Sequence, residues 1–189
     1  MGDADTRPVF YLDLTQPWCY PAAEEVMSAL PVMPEWEPVH GAELGIGPAP
    51  ESEREPLAAR VRALGLQPLR WPAGWPPDGR RLALTATYAK RGGRAVCFAQ
   101  AALRQGFAGG RDLDEESTAL LAAAACEMHP AAVLKALALR GTAEALSRAG
   151  ERARAAGVAR LPAIEWNEHL WSGPDAVAKA AAGLSGRAR

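Results

Sequence analysis

The segment Val9-Phe10-Tyr11-Leu12-Asp13-Leu14-Thr15-Gln16-Pro17-Trp18-Cys19-Tyr20 changes character halfway along. Val9 to Leu14 is a short apolar run dominated by β-favouring side chains, and it predicts a buried strand. Thr15-Gln16-Pro17 interrupts it, and Pro17 suits the first turn of a helix, where a missing N–H costs nothing. From Trp18 onward apolar residues return at helical spacing through Ala22, Val26 and Leu30. Gln16-Pro17-Trp18-Cys19 is therefore expected at a strand-to-helix junction, with backbone N–H groups and the positive end of a helix dipole directed into it.

Outward from that junction, residues 18–30 form the first helix, stopped by Leu30-Pro31 and Pro34. Glu35 to Leu44 alternates weakly and predicts a second strand, which Pro38 confines to an edge or a bulge. Gly45 to Pro50 is turn-rich. Helices are expected over 51–64, 80–91, 94–105, 114–125, 130–139 and 142–156, the last with Thr142 as N-cap. Three prolines, Pro72, Pro76 and Pro77, exclude a regular helix from the Trp71- and Trp75-bearing loop over 69–79. Strands return at 163–166 and 170–172 around a turn at Asn167-Glu168-His169, and a helix over 174–184 precedes a frayed tail. The order predicts an α/β chain in three parts: a βαβ unit over 7–48, a helical insertion over 49–150, and a ββα unit over 151–185.

Bulk properties narrow the function classes. A chain of 189 residues can bury one sizeable core. With 21 basic and 22 acidic residues and a net charge of -1, it carries no electrostatic footprint for nucleic acid or an anionic membrane. Cys19, Cys97 and Cys126 form no close pair and no metal-ligand spacing, and an odd count without a framework fits a reducing compartment. Residues 1–6 are acidic and lack the apolar core of a signal peptide, and no apolar run reaches membrane-spanning length. These features predict a cytoplasmic protein that binds no nucleic acid and no membrane.

The layout resembles the DsbA-like branch of the thioredoxin superfamily, among 2-hydroxychromene-2-carboxylate isomerases, kappa-class glutathione transferases and FrnE-type oxidoreductases. Five anchors carry the resemblance in order. Phe10-Tyr11-Leu12-Asp13 with Pro17-Trp18-Cys19-Tyr20 is similar to the opening strand and motif. Arg70-Trp71-Pro72 with Trp75-Pro76-Pro77 resembles the proline-rich loop before the helical insert, and Gly109-Gly110-Arg111-Asp112-Leu113 a connection within it. Gly157 to Ala163 resembles the segment carrying a cis-proline, and Leu170 to Asp175 the closing strand and helix start. The resemblance implies a thioredoxin-like fold with a large all-helical insertion.

It also frames the chemistry. Where the family keeps the first cysteine of Cys-x-x-Cys, Gln16 stands here, so a disulfide within the motif is excluded and the two-electron thiol–disulfide cycle is lost. Cys19 holds the second position, either as a small core hydrophobe or as a lone nucleophile. Some relatives without the first cysteine use a serine to hydrogen-bond the thiolate of glutathione. By resemblance, the Gln16 amide takes that role beside Pro17 and Trp18, with glutathione as cofactor; a plain structural role for Gln16 stands equally open. The resemblance further implies that Pro162 is a cis-proline leaving the Leu161 backbone for an extended ligand. It places γ-glutamyl contacts at Ser172, Gly173 and Asp175, although Ser172 or Asp175 also suits a helix cap. Trp71 and Trp75 are read as walls of an apolar pocket or as plain packing. His40, His129 and His169 are isolated and suggest no metal, and Cys97 and Cys126 are expected in the core. The resemblance implies an oxidoreductase-like protein of the DsbA family that lacks dithiol chemistry and, if active, works as a glutathione-dependent isomerase or transferase on a small aromatic or thiol substrate, with a homodimer suggested by its relatives. The alternative is a non-catalytic binding or scaffold protein.

Overall fold

The computed structural model describes residues 7–185; the segments 1–6 and 186–189, with the expectations of no signal peptide and a frayed tail, lie outside the described residues. The chain opens with β1 (Val9–Leu12), α1 (Cys19–Ala29) and β2 (Glu35–Pro38). It continues through α2 (Arg54–Ala63), α3 (Arg80–Arg91), α4 (Ala95–Leu103), α5 (Glu116–Ala125), α6 (Pro130–Leu137) and α7 (Arg140–Ala155). It closes with β3 (Ala163–Trp166), β4 (His169–Ser172) and α8 (Ala176–Ser185). The sheet order is β2-β1-β3-β4. β2 runs parallel to β1, while β3 and β4 are each antiparallel to their neighbour. The sheet is thus completed only when residues about 150 positions apart pair, Phe10 with Ile164 and Tyr11 with Ala163.

Alternation along the strands explains which residues are core. Phe10, Leu12, Trp36 and Ile164 are all buried, and Phe10 meets Trp36 edge-on at 5.0 Å. On the alternate positions stand Tyr11, Glu35, Glu37 and Glu165, which are polar for a sheet. The buried Glu37 carboxylate is held by Lys90 Nζ at 2.8 Å and by Arg152 of α7. The Tyr11 hydroxyl donates to Glu165 at 2.8 Å, and burial, reinforced by that carboxylate, pushes the phenol pKa up. A charge-paired layer between sheet and helix is why the alternation over 35–38 reads so weakly in hydropathy.

Several expectations are corrected. The second strand stops at Pro38, not Leu44, because residues 41–44 wind into a 3-10 turn. Val39 N–H still donates to Leu12, but the Gly41 N–H is drawn to the Asp13 carboxylate at 2.5 Å. Pro38 does lie on an edge strand. Thr142 is not an N-cap: α7 starts at Arg140 after Leu139, and Thr142 is buried in its first turn with its hydroxyl unpartnered. Helix α7 runs to Ala155, which brings Arg152 to Glu37.

The cysteines are the largest correction. Cys97 and Cys126, 29 positions apart, are joined by a disulfide with Cα atoms 5.8 Å apart. Cys97 is exposed rather than core, and Cys126 is buried at the end of α5. Helix packing sets α4 against α5, which no spacing rule along the chain reveals. The odd cysteine count therefore gives no support to a reducing compartment. Among the described residues no helix is long and apolar enough to cross a membrane.

Candidate functional site

The strand-to-helix junction is organised by a residue the sequence reading passed over. Asp13 is buried, and its carboxylate accepts from Thr15 N–H at 2.7 Å, from the Thr15 hydroxyl at 2.8 Å and from Gly41 N–H. An Asp two residues before a hydroxyl residue is the local signature of such a turn. The Gly41 contact ties the junction to the 41–47 segment, and a Cβ on Gly41 would lie 2.8 Å from Asp13 Oδ2. Burial pushes the Asp13 pKa up, against the opposing pull of these donors. A folded-state pKa above the ordinary 3.8 means that its stabilising contribution is present below that value and is lost as pH rises through the folded pKa. The stability difference between wild type and Asp13→Asn should accordingly shrink as pH rises across the mildly acidic range. Urea titrations at several pH values test this, and a difference independent of pH contradicts it.

The junction does not present the row of open N–H groups that was expected. Gln16 N–H donates to the Asp13 carbonyl at 3.1 Å, Cys19 N–H to Gln16 at 2.9 Å and Tyr20 N–H to Pro17 at 3.0 Å. Two consecutive turns precede α1, and they occupy these donors internally.

Gln16 is 8% exposed, and its amide nitrogen donates to the Gly47 carbonyl at 3.0 Å. Cys19 is fully buried, and desolvation pushes its thiol pKa far above the ordinary thiol range. A protonated, inaccessible sulfur is neither nucleophile nor electron donor. Alkylation of native protein near neutral pH should therefore leave Cys19 unmodified by peptide mapping; rapid labelling would sink this reading. Trp18 is half-buried, its indole N–H donating to Glu53 at 2.7 Å. The other Glu53 oxygen lies 3.6 Å from Arg160, so Trp18 is latched to the segment before β3.

A cleft of about 380 Å³ opens beside Gln16. The 41–48 segment, with Ile46 and Gly47, forms one wall, and Trp75, Pro76 and Asp78 form the other. His40 joins the two walls: its Nε2–H donates to the Asp78 carbonyl at 2.7 Å. Asp114 anchors the far end of the proline-rich loop through Asp78 N–H at 2.8 Å and Gly79 N–H at 2.7 Å. Trp75 is held by an aromatic cluster, with Trp71 at 4.8 Å and the buried Phe107 at 6.4 Å. Phe107 reaches this position because the chain after α4 widens into a π-helical segment, Arg104–Ala108.

Of the expected site residues, the structure thus brings Gln16 and Trp75 to one cleft, with Pro17, Trp18 and Cys19 immediately following Gln16. Trp71 supports Trp75 from behind, under the Arg54 guanidinium at 4.5 Å from its ring. Leu161, Pro162, Ser172, Gly173 and Asp175 do not line the cleft. Leu161 is buried, and the Leu161–Pro162 peptide is cis. The Pro162 carbonyl accepts from Gly173 N–H at 2.8 Å, and Ser172 lies in β4 opposite Ala163. Asp175 is exposed and faces Lys179 at 3.6 Å. His129 caps α6 through its Nδ1, which accepts from Ala131 N–H at 3.2 Å. Asp13, His40, Glu53 and Arg160 were missed. Only Asp13 had a local signal; the others act across separations no motif reports.

No protein-family model matches the sequence, and no curated protein does. Solved structures do. A 2-hydroxychromene-2-carboxylate isomerase superposes with a TM-score of 0.85 at 17% identity, over 97% of this chain and 97% of that one. A "probable DsbA oxidoreductase" from Streptomyces coelicolor superposes with a TM-score of 0.73 at 19% identity, over 95% of this chain and 88% of that one. With a four-stranded mixed sheet assembled from both ends of the chain and helices α2 to α7 between its halves, the protein shares the fold of these structures, a thioredoxin-like fold with a large helical insertion.

Proposed function

We propose that the chain binds a small thiol, glutathione, in the cleft beside Gln16 and acts with it as an isomerase or transferase on a small aromatic substrate. The observation that carries this reading is the cleft itself: an aromatic and proline wall faces an amide at the junction where the motif's first cysteine is replaced. An amide has two N–H donors. Gly47 takes one, and the reading assigns the second to the thiolate of the ligand. A borrowed thiol is needed because Cys19 is buried and protonated. Trp75, Pro76 and Ile46 offer flat apolar surface to a planar substrate. The likeness to an isomerase structure supports the reaction class.

Calorimetric titration tests it. Glutathione should bind in the low-millimolar range or tighter, and Gln16→Ala should weaken binding about tenfold, worth ~1.4 kcal/mol. No saturable binding to wild type at millimolar glutathione overturns the reading. That result would favour the second one, a non-catalytic binding or scaffold protein, for which the internal pairing of Gln16 with Gly47 and of Asp175 with Lys179 already speaks. A homodimer fits either reading, and light scattering decides it.

A further inference from the structure

The disulfide in the helical part of the chain has the asymmetry of an exchange site. Cys97 is exposed and is the third residue of α4, within the first turn, where unpaired N–H groups and the helix dipole favour a thiolate. Cys126 is buried at the C-terminal end of α5, where the dipole disfavours one. Arg94, immediately before α4, donates from its guanidinium to the Cys126 carbonyl and lies 3.8 Å from Glu127. A cavity of about 440 Å³ adjoins this corner, lined among others by Arg91, Arg94, Met128 and His129. Two guanidiniums against the single carboxylate of Glu127 suit a ligand that carries carboxylates.

We propose that Cys97–Cys126 is an exchangeable disulfide whose partner is an anionic low-molecular-weight thiol, docked in this cavity and attacking the exposed Cys97 sulfur. In the first step the thiolate of the incoming thiol forms a bond to Cys97 Sγ, the Cys97–Cys126 bond breaks, and Cys126 leaves with the electron pair and takes up one proton. In the second step another molecule of the same thiol attacks the ligand sulfur of the mixed disulfide. Cys97 is released as a thiolate, and the two ligand molecules leave as their own disulfide. The protein disulfide is reduced by two electrons, and two thiols are oxidised. The helix end that favours a thiolate thus carries the leaving group of the second step. This site is independent of the Gln16 cleft.

Native oxidised protein is incubated with reduced glutathione, quenched in acid, alkylated and mapped by mass spectrometry. The expected result is a glutathione adduct or a free thiol at Cys97, no adduct at Cys126 and an unmodified Cys19. A disulfide that opens only in denaturant, or an adduct on Cys126 instead, overturns the proposal. Arg91 holds no part of the disulfide's own frame, so Arg91→Gln should slow exchange with glutathione severalfold and leave exchange with uncharged 2-mercaptoethanol unchanged. Equal rates for glutathione in both proteins overturn the anionic preference. In Cys126→Ser, Cys97 should be alkylated at least tenfold faster than Cys19; if that variant does not fold, the wild-type mapping decides alone.

Discussion

Phe107→Ala is expected to lower the unfolding free energy by about 3–5 kcal/mol, the range for deleting a fully buried aromatic ring. Phe107 has no exposed surface, and Tyr20, Trp71 and Trp75 each lie 6.4 Å from it, centroid to centroid. The surroundings are poorly able to collapse into the space. The backbone on either side is committed, since the Phe107 carbonyl accepts from Arg70 N–H at 2.7 Å and Gly106 is packed so closely that a Cβ there would sit 2.5 Å from Leu113. Urea denaturation measures the loss, and an unchanged slope would confirm that the change lies in stability rather than in the unfolded state. The same variant should loosen Trp75, and with it one wall of the Gln16 cleft. On the proposed reading of the cleft, glutathione affinity should then fall even under conditions where the variant remains folded. A cost below ~1 kcal/mol would show that the aromatic cluster is not packed as described.

Removing the disulfide should have an effect of similar size. Replacing Cys97 by Ser and Cys126 by Ala opens a loop with a sequence separation of 29, and chain entropy puts the cost at roughly 3–4 kcal/mol. For a domain of this length that corresponds to a melting temperature lower by roughly 6–16 °C. Differential scanning calorimetry of the double variant, and of wild type with and without reductant, gives the number. Identical melting with and without reductant, alongside a full count of free thiols, would mean that the bridge is not formed in solution. The sulfur chemistry absent from the motif is found instead between two helices of the intervening block.

Where sequence and structure disagree, the cause is nearly always tertiary. The strand expected to reach Leu44 is cut at Pro38 because the Asp13 carboxylate, in the loop after β1, captures the Gly41 N–H. Thr142 has the chemistry of a cap but lies in a buried first turn, because Arg140 already starts the helix. Gln16 was read from its place in the motif, and the place is right. Its engagement with Gly47 was not readable, since that contact depends on how the 41–47 segment folds back over the junction. Asp175, expected to meet the ammonium group of a ligand, stands exposed 3.6 Å from Lys179, one helical turn on.

Local pattern was enough for the order of elements, the edge position of Pro38 and the strand-to-helix junction at Gln16 to Cys19, because hydrophobic period, proline and glycine act over a few residues. It was also enough to exclude a disulfide within the motif. Only the tertiary structure decided that Cys97 meets Cys126, that Cys19 is sealed from solvent, and that the cleft at Gln16 is walled by Trp75 rather than by Pro162 and Asp175. Those outcomes follow from which helix packs on which and from where loops close over a junction. Contacts between residues tens of positions apart set both, and no short window of sequence contains them.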